Sequence, residues 1–270
     1  MKNLTILFLF FISQTGFAQQ RETVTVPTFT KIGFGVSGKA YVRQGNSQKV
    51  ELEGTREALD KVEAKVEGGK LFIRTKEKWF TWNWTDKDKV NVYITVKDIE
   101  GLSVSGSGDL IVENRIRTNA LKLVVSGSGS LKVETDAGDT EANVSGSGDM
   151  IVRGSLASFD GSISGSGKIE LNATINRITA FDISGSGKAL ASGQTSGVDV
   201  EISGSGKVLA ADLETSKCRV RISGSGSVEI NVKDELDVKI SGSGDVRYLG
   251  NPAHVNAHSS GSGSVKKLNL

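Results

Sequence analysis

The stretch Leu121-Lys122-Leu123-Val124-Val125-Ser126-Gly127-Ser128-Gly129-Ser130-Leu131-Lys132-Val133 decides the fold. Leu121, Leu123, Val125, Gly127, Gly129, Leu131 and Val133 share one parity. Lys122, Ser126, Ser128, Ser130 and Lys132 share the other, with Val124 as the one apolar exception. Strict alternation over this length predicts a half-buried strand, because successive side chains of a strand point to opposite faces. Two glycines in four residues also disfavour a helix.

The same phase recurs on both sides of this stretch. It appears in Val104/Gly106/Gly108/Leu110/Val112, in Ile163/Gly165/Gly167/Ile169/Leu171 and in Val220/Ile222/Gly224/Gly226/Val228. Ser-Gly-Ser-Gly occurs nine times, beginning at Ser105, Ser126, Ser145, Ser164, Ser184, Ser203, Ser223, Ser241 and Ser260, with spacings of 21, 19, 19, 20, 19, 20, 18 and 19 residues. A fixed period of this size marks a stacked array whose unit is one supersecondary element. The prediction is an all-β, single-stranded parallel β-helix, a solenoid whose like residues stack about 4.8 Å apart, so that nine coils make a rod of roughly 40 Å. The crossover rule for parallel strands predicts a right-handed winding.

Within each coil both glycines fall on the core parity, which predicts a pinch or corner at the tetrapeptide. The serines fall on the outer parity and would form two columns of hydroxyls. The reverse assignment, with serines inside and bonded along the stack, stays open at a corner. Cys218 shares the parity of Val220 and Ile222, so it is expected to point inward as a small apolar filler.

Residues 19–100 lack the repeat but alternate like strands at Thr23 to Val26, Lys49 to Leu52, Lys70 to Arg74 and Val90 to Val96. A short helix is expected around Thr55 to Val62, and Ser37-Gly38 reads as a degenerate copy of the motif. This segment is expected to open and cap the rod formed by residues 101–270, because a parallel array needs its first coil covered. The last motif is followed by seven residues, which predicts a thinly capped edge open to self-association.

Residues 1–18 read as a signal peptide: Lys2, then an apolar run from Leu4 to Ile12, then Gly16-Phe17-Ala18. The run is too short to cross a bilayer, and no later stretch is long and apolar enough to do so. The expectation is export to the periplasm, the cell surface or the medium, with no transmembrane segment in the mature chain. A formal charge of +2 from 33 basic and 31 acidic residues argues against a nucleic-acid partner. One cysteine and two histidines argue against a disulfide scaffold and a zinc site.

Together these residues carry a resemblance. A Gln44-Gly45 turn is followed by the strand Gly69-Lys70-Leu71-Phe72-Ile73. Then Ile94-Thr95-Val96 and Leu102-Ser103-Val104 lead into Ser105-Gly106-Ser107-Gly108 and its copies. Over about residues 28–265 the chain resembles the GIN-domain family, the head domain of auto-transporter adhesins. The resemblance implies a right-handed parallel β-helix and an adhesive role, and it supplies no catalytic residues.

Two constellations are candidate ligand sites. Trp79, Trp82 and Trp84 lie within six residues among Lys76, Lys78, Asp86, Lys87, Asp88 and Lys89, where aromatic rings can stack on sugars or anchor a partner. The competing reading packs them against a neighbouring coil. Lys168, Lys188 and Lys207 follow the second glycine in three consecutive coils, so stacking would build an ammonium ladder suited to an anionic polymer. The competing reading is a solvated face partly neutralised by Glu170, Asp182 and Glu201.

Asp109, Asp149 and Asp245 take the lysine slot in other coils, at the wrong period for a calcium-binding repeat. His254 and His258, four apart in a strand, sit too far apart to share one metal ion. No catalytic residue, metal site or cofactor is therefore expected. The function expected is a non-catalytic envelope or surface protein that binds a glycan or a protein through the solenoid flank or the tryptophan loop. The alternative is a polysaccharide lyase or hydrolase, which would need long loops for cleft walls that spacings this even do not leave. A lattice-binding face of hydroxyl columns is the weakest reading, because it lacks threonine methyl groups.

Overall fold

The computed structural model describes residues 19–76 and 89–268. The first part holds β1 (Gln20–Thr23), β2 (Lys31–Phe34), β3 (Gly38–Gln44), β4 (Lys49–Gly54), α1 (Arg56–Lys61), β5 (Val62–Glu67), β6 (Lys70–Thr75) and β7 (Val90–Val96). The repeat holds β8 (Gly101–Gly106), β9 (Asp109–Val112), β10 (Ile116–Gly127), β11 (Ser130–Gly146), β12 (Asp149–Gly165), β13 (Lys168–Ile175) and β14 (Ile178–Gly185). It continues through β15 (Lys188–Gly204), β16 (Lys207–Gly224), β17 (Ser227–Gly242), β18 (Asp245–Leu249), β19 (His254–Gly261) and β20 (Ser264–Lys267). The chain is nearly all strand and winds into a β-solenoid of about nine turns.

The pairings from β8 onward are parallel, and they superimpose the repeat as its period predicts. Ser105 pairs with Ser126, Ser126 with Ser145, Ser145 with Ser164, and so on through Ser184, Ser203, Ser223 and Ser241 to Ser260. Inward residues form columns along the axis. One runs Leu121, Thr140, Phe159, Thr179, Val198, Cys218, Leu236, Val255. Sizes compensate between columns. Phe159 and Phe181 meet with ring centroids 5.8 Å apart at 55°, over Gly161, whose Cβ would lie 2.7 Å from the Phe159 ring. Close packing of this kind supplies most of the stability of a stack.

The tetrapeptide is a corner, and its two glycines do different work. The second glycine faces the core, as its parity predicts. A Cβ on Gly187 would lie 2.4 Å from Ile163 Cγ2, a side chain of the turn below. The first glycine does not face the core. It turns the chain at the surface with positive φ, +116° at Gly185, and its Cβ would strike the Gly165 carbonyl at 2.7 Å. The assignment of both glycines to the core parity is corrected there: the left-handed residue itself leaves the core where the chain turns, while its neighbours keep their phase. The serines on either side are exposed, which settles their orientation outward.

The N-terminal part is not simply threaded first. β2 pairs in parallel with both β6 and β8, and β3 with both β7 and β9. The turn made by residues 31–44 is thus inserted between one made later in the chain and the first repeat. Ser37 stacks on Ser107, with their hydroxyls 3.3 Å apart, so Ser37-Gly38 occupies the corner as a degenerate copy. Below β6 and β7 the pairing becomes antiparallel: β5 lies on β6, β4 on β7 and β1 on β4. Helix α1 spans the gap, with Thr55 Oγ1 accepting from the Ala58 amide at 3.2 Å, and buries Ala58 and Leu59. At the other end, every residue of β19 is exposed.

Candidate functional site

The slot after the second glycine forms one outward column down the whole rod. It runs Lys39, Asp109, Ser130, Asp149, Lys168, Lys188, Lys207, Ser227, Asp245, Ser264. The three lysines singled out by the repeat are therefore direct neighbours in register. The aspartates of the column are engaged: Ser130 and Ser264 donate to Asp109 and Asp245, each at 2.6 Å. Lys168 comes within 3.9 Å of Asp149. Among the described residues, Lys188 and Lys207 have no ion pair or side-chain hydrogen bond.

Of the three carboxylates expected to neutralise the ladder, two are occupied, while Asp182 has no ion pair or side-chain hydrogen bond among the described residues. Glu170 is held by Arg153 at 3.4 Å and Glu201 by Arg221 at 2.6 Å. Glu229, across from Leu209, is held by Arg247 at 3.1 Å. Like charges directly opposite one another in a sheet are destabilising, so Lys188 and Lys207 form an uncompensated cationic pair.

Beside that pair runs a feature the repeat did not advertise. Leu190 and Leu209 pair in register two residues further along each strand, half-buried and on the outward face. Leu190 lies between the inward Ala189 and Ala191, and Leu209 between the inward Val208 and Ala210. The signal was present as a leucine on the lysine parity between two alanines. The result is a strip of two ammonium groups and two isobutyl groups on a flat, rigid flank.

The second expected site cannot be described in the same way. Trp79, Trp82 and Trp84 lie outside the described residues, as do residues 1–18. The segment carrying the tryptophans joins β6 to β7.

Other groups resolve into packing or balanced charge. Cys218 is 3% exposed. Burial, helped by the nearby Asp199 carboxylate, pushes its thiol up to about 12, so it is an inert filler. His254 and His258 are exposed on β19. A groove of about 1140 Å³ is lined by acids including Asp98, Asp136, Asp139 and Glu141 together with Lys31, Arg117 and Lys122. Several of its charges are paired. Lys122 binds Glu141 at 2.7 Å, and this bond is the main cause that holds Glu141 below its ordinary value. Ser158 and Arg177 bind Asp139, and the Ser158 hydroxyl is the larger cause of its lowered pKa. Among the described residues, no group of three or more His, Cys, Asp or Glu side chains could hold a metal ion, and no helix is long and apolar enough to cross a membrane.

A parallel solenoid of stacked turns belongs to the class of repeat proteins whose windings contact only near neighbours. The chain is a member of the family described as "putative auto-transporter adhesin, head GIN domain", whose model matches residues 28–191 and 179–252. Among solved structures it is similar to a "putative adhesin" from Parabacteroides distasonis, at 22% identity and a TM-score of 0.69, covering 93% of this chain and 97% of that one. A "putative lipid binding protein" from the same organism matches at 22% identity, a TM-score of 0.68 and the same coverage. A "putative adhesin" from Parabacteroides merdae matches at 21% identity and a TM-score of 0.66, covering 93% and 96%. At these identities the likeness shows the fold. No curated protein matches the chain. The family and these relatives are named for adhesion or lipid binding, not for catalysis.

Proposed function

We propose that the protein is an exported, non-catalytic component of the cell envelope or surface, and that it holds an anionic glycan on the flank carrying Lys168, Lys188 and Lys207. The observation that carries this reading is the uncompensated pair Lys188 and Lys207, in register on adjacent turns with no carboxylate partner. A parallel sheet gains nothing from such a pair by itself, whereas a polymer bearing regular negative charges would relieve the repulsion. Trp79, Trp82 and Trp84 serve as a second contact at the N-terminal end. Turns of nearly constant length leave no walls for a catalytic cleft, which supports binding without cleavage.

The test is a glycan array with a reducing-end assay on the same purified protein. Lys188→Gln with Lys207→Gln is expected to weaken binding of sulfated or uronic-acid glycans at least about tenfold and to flatten its salt dependence. The same double variant should be slightly more stable, by less than about 1 kcal/mol, because a like-charge pair is removed. Unchanged binding would overturn the site, and release of glycan fragments would overturn the non-catalytic reading. Protease accessibility on intact cells tests exposure at the surface.

A further inference from the structure

A different flank carries a feature that neither folding nor the lysine ladder explains. Ile178, Gly197, Lys217, Glu235 and His254 form one outward column. Gly197 has no positive φ, and a Cβ there would meet nothing closer than 3.8 Å. The inward glycines of the corners differ, since a Cβ on any of them would collide at 2.3 to 2.7 Å. The backbone thus tolerates a side chain at position 197, and its absence opens a notch of about 530 Å³, within the roughly 300–1,000 Å³ of small-molecule sites.

One wall of the notch is Ile178, 56% exposed. Among the described residues the other large apolar side chain left exposed is Val255, which lies on the uncovered last turn. Ile178 sits in the middle of the rod, where no end accounts for its exposure. The floor includes Val198. The rim is polar and nearly balanced in charge. Arg219 binds one oxygen of Asp199 at 3.1 Å, while the other oxygen has no partner among the described residues. Lys217 binds Glu235 at 3.0 Å, and Asp237 accepts from Asn256 at 3.0 Å.

We propose that this notch is a second ligand site and that it takes a single uncharged sugar ring. A pyranose offers an apolar C–H face to Ile178. Its vicinal hydroxyls donate to the Asp237 carboxylate and to the Asp199 oxygen that Arg219 holds, and accept from the Arg219 guanidinium. The balanced rim favours a neutral ring over an ion, so this site is separate from the lysine flank and does not depend on it.

The experiment follows the Ile178 δ1 methyl by NMR in the full-length mature protein, titrated with neutral hexoses, 6-deoxyhexoses and N-acetylhexosamines. At least one of these should shift the methyl in a saturable way and receive saturation transfer from the protein. Gly197→Val, whose Cβ would meet nothing closer than 3.8 Å, should weaken that binding at least about tenfold, and Asp199→Asn should weaken it less. The Lys188→Gln, Lys207→Gln variant should bind the sugar as the wild type does. The proposal falls if no sugar moves the Ile178 methyl, if only an alkyl detergent moves it, or if binding survives Gly197→Val. Because the wild-type titration stands alone, a poorly folded variant would not rescue the idea.

Discussion

The two ends of the solenoid solve the same problem in opposite ways. At the N-terminal end the pairing turns antiparallel, and β4, β5 and α1 cover the interior columns. At the C-terminal end the last turn is bare. The column that runs through Val198, Cys218 and Leu236 ends in Val255 at 44% exposure. The column that holds Ile222 and Ile240 ends in Ser259. One end is closed by a change of topology. The other is softened by smaller and more polar residues, which limits the exposed apolar area. Interior sites should therefore behave alike along the rod until the last turn.

The sharpest break of that comparison is kinetic. Cys218 and a Val255→Cys variant would share one column, two turns apart. A thiol reagent at pH 8 should modify the cysteine at 255 at least about 1,000-fold faster than Cys218, which reacts only when the stack opens. Equal rates would mean that the interior is as open as the end. Next in size is a pair of truncations read by urea denaturation. Leu59→Ala beneath the closed end should cost about 2–4 kcal/mol, whereas Val255→Ala at the bare end should cost less than about 0.5 kcal/mol. Similar losses would erase the distinction.

The smallest effect is acid sensitivity. Glu51 and Glu67, on β4 and β5, are held below the ordinary carboxylate value, chiefly by hydrogen bonds from Lys49 and Lys65 respectively. A carboxylate whose folded value is depressed stabilises the fold above its unfolded value, near 4.5. That contribution disappears as the pH falls through the lowered folded value. Amide exchange in β4 and β5 should thus rise modestly between about pH 5 and pH 3. Residues 250–268 contain no Asp or Glu, so exchange in β19 and β20, corrected for intrinsic rates, should change less.

Much of this architecture was legible in one dimension. The tetrapeptide period gave away the stacking, because a constant number of residues per turn is what keeps Ser105 through Ser260 in register. The lysine ladder followed from the same arithmetic, as did the inward position of Cys218. Parity alone misplaced the first glycine of each corner, since a residue at φ +116° turns the chain at the surface while the residues on either side keep their phase. The insertion of β2 and β3 left only the degenerate Ser37-Gly38 as a local mark, because their partners β8 and β9 lie about 70 residues away. The Leu190 and Leu209 strip was readable but masked by the alanines that take the core positions beside it. The notch at Gly197 carries no sequence mark, since it depends on what a Cβ would have met.

The order of β6–β7, β2–β3 and β8–β9 in space has an evolutionary corollary. The closed end is interlocked, so a residue inserted or deleted between 31 and 112 would unseat strands far from it in the chain. The region from Ser126 to Gly242 has no such interlock, because each winding rests only on its immediate neighbours. Duplication or excision of one whole winding, such as the 19 residues from Ser145 through Ile163, would preserve every ladder. The length of the rod can then be adjusted by copy number while the interlocked base stays the same.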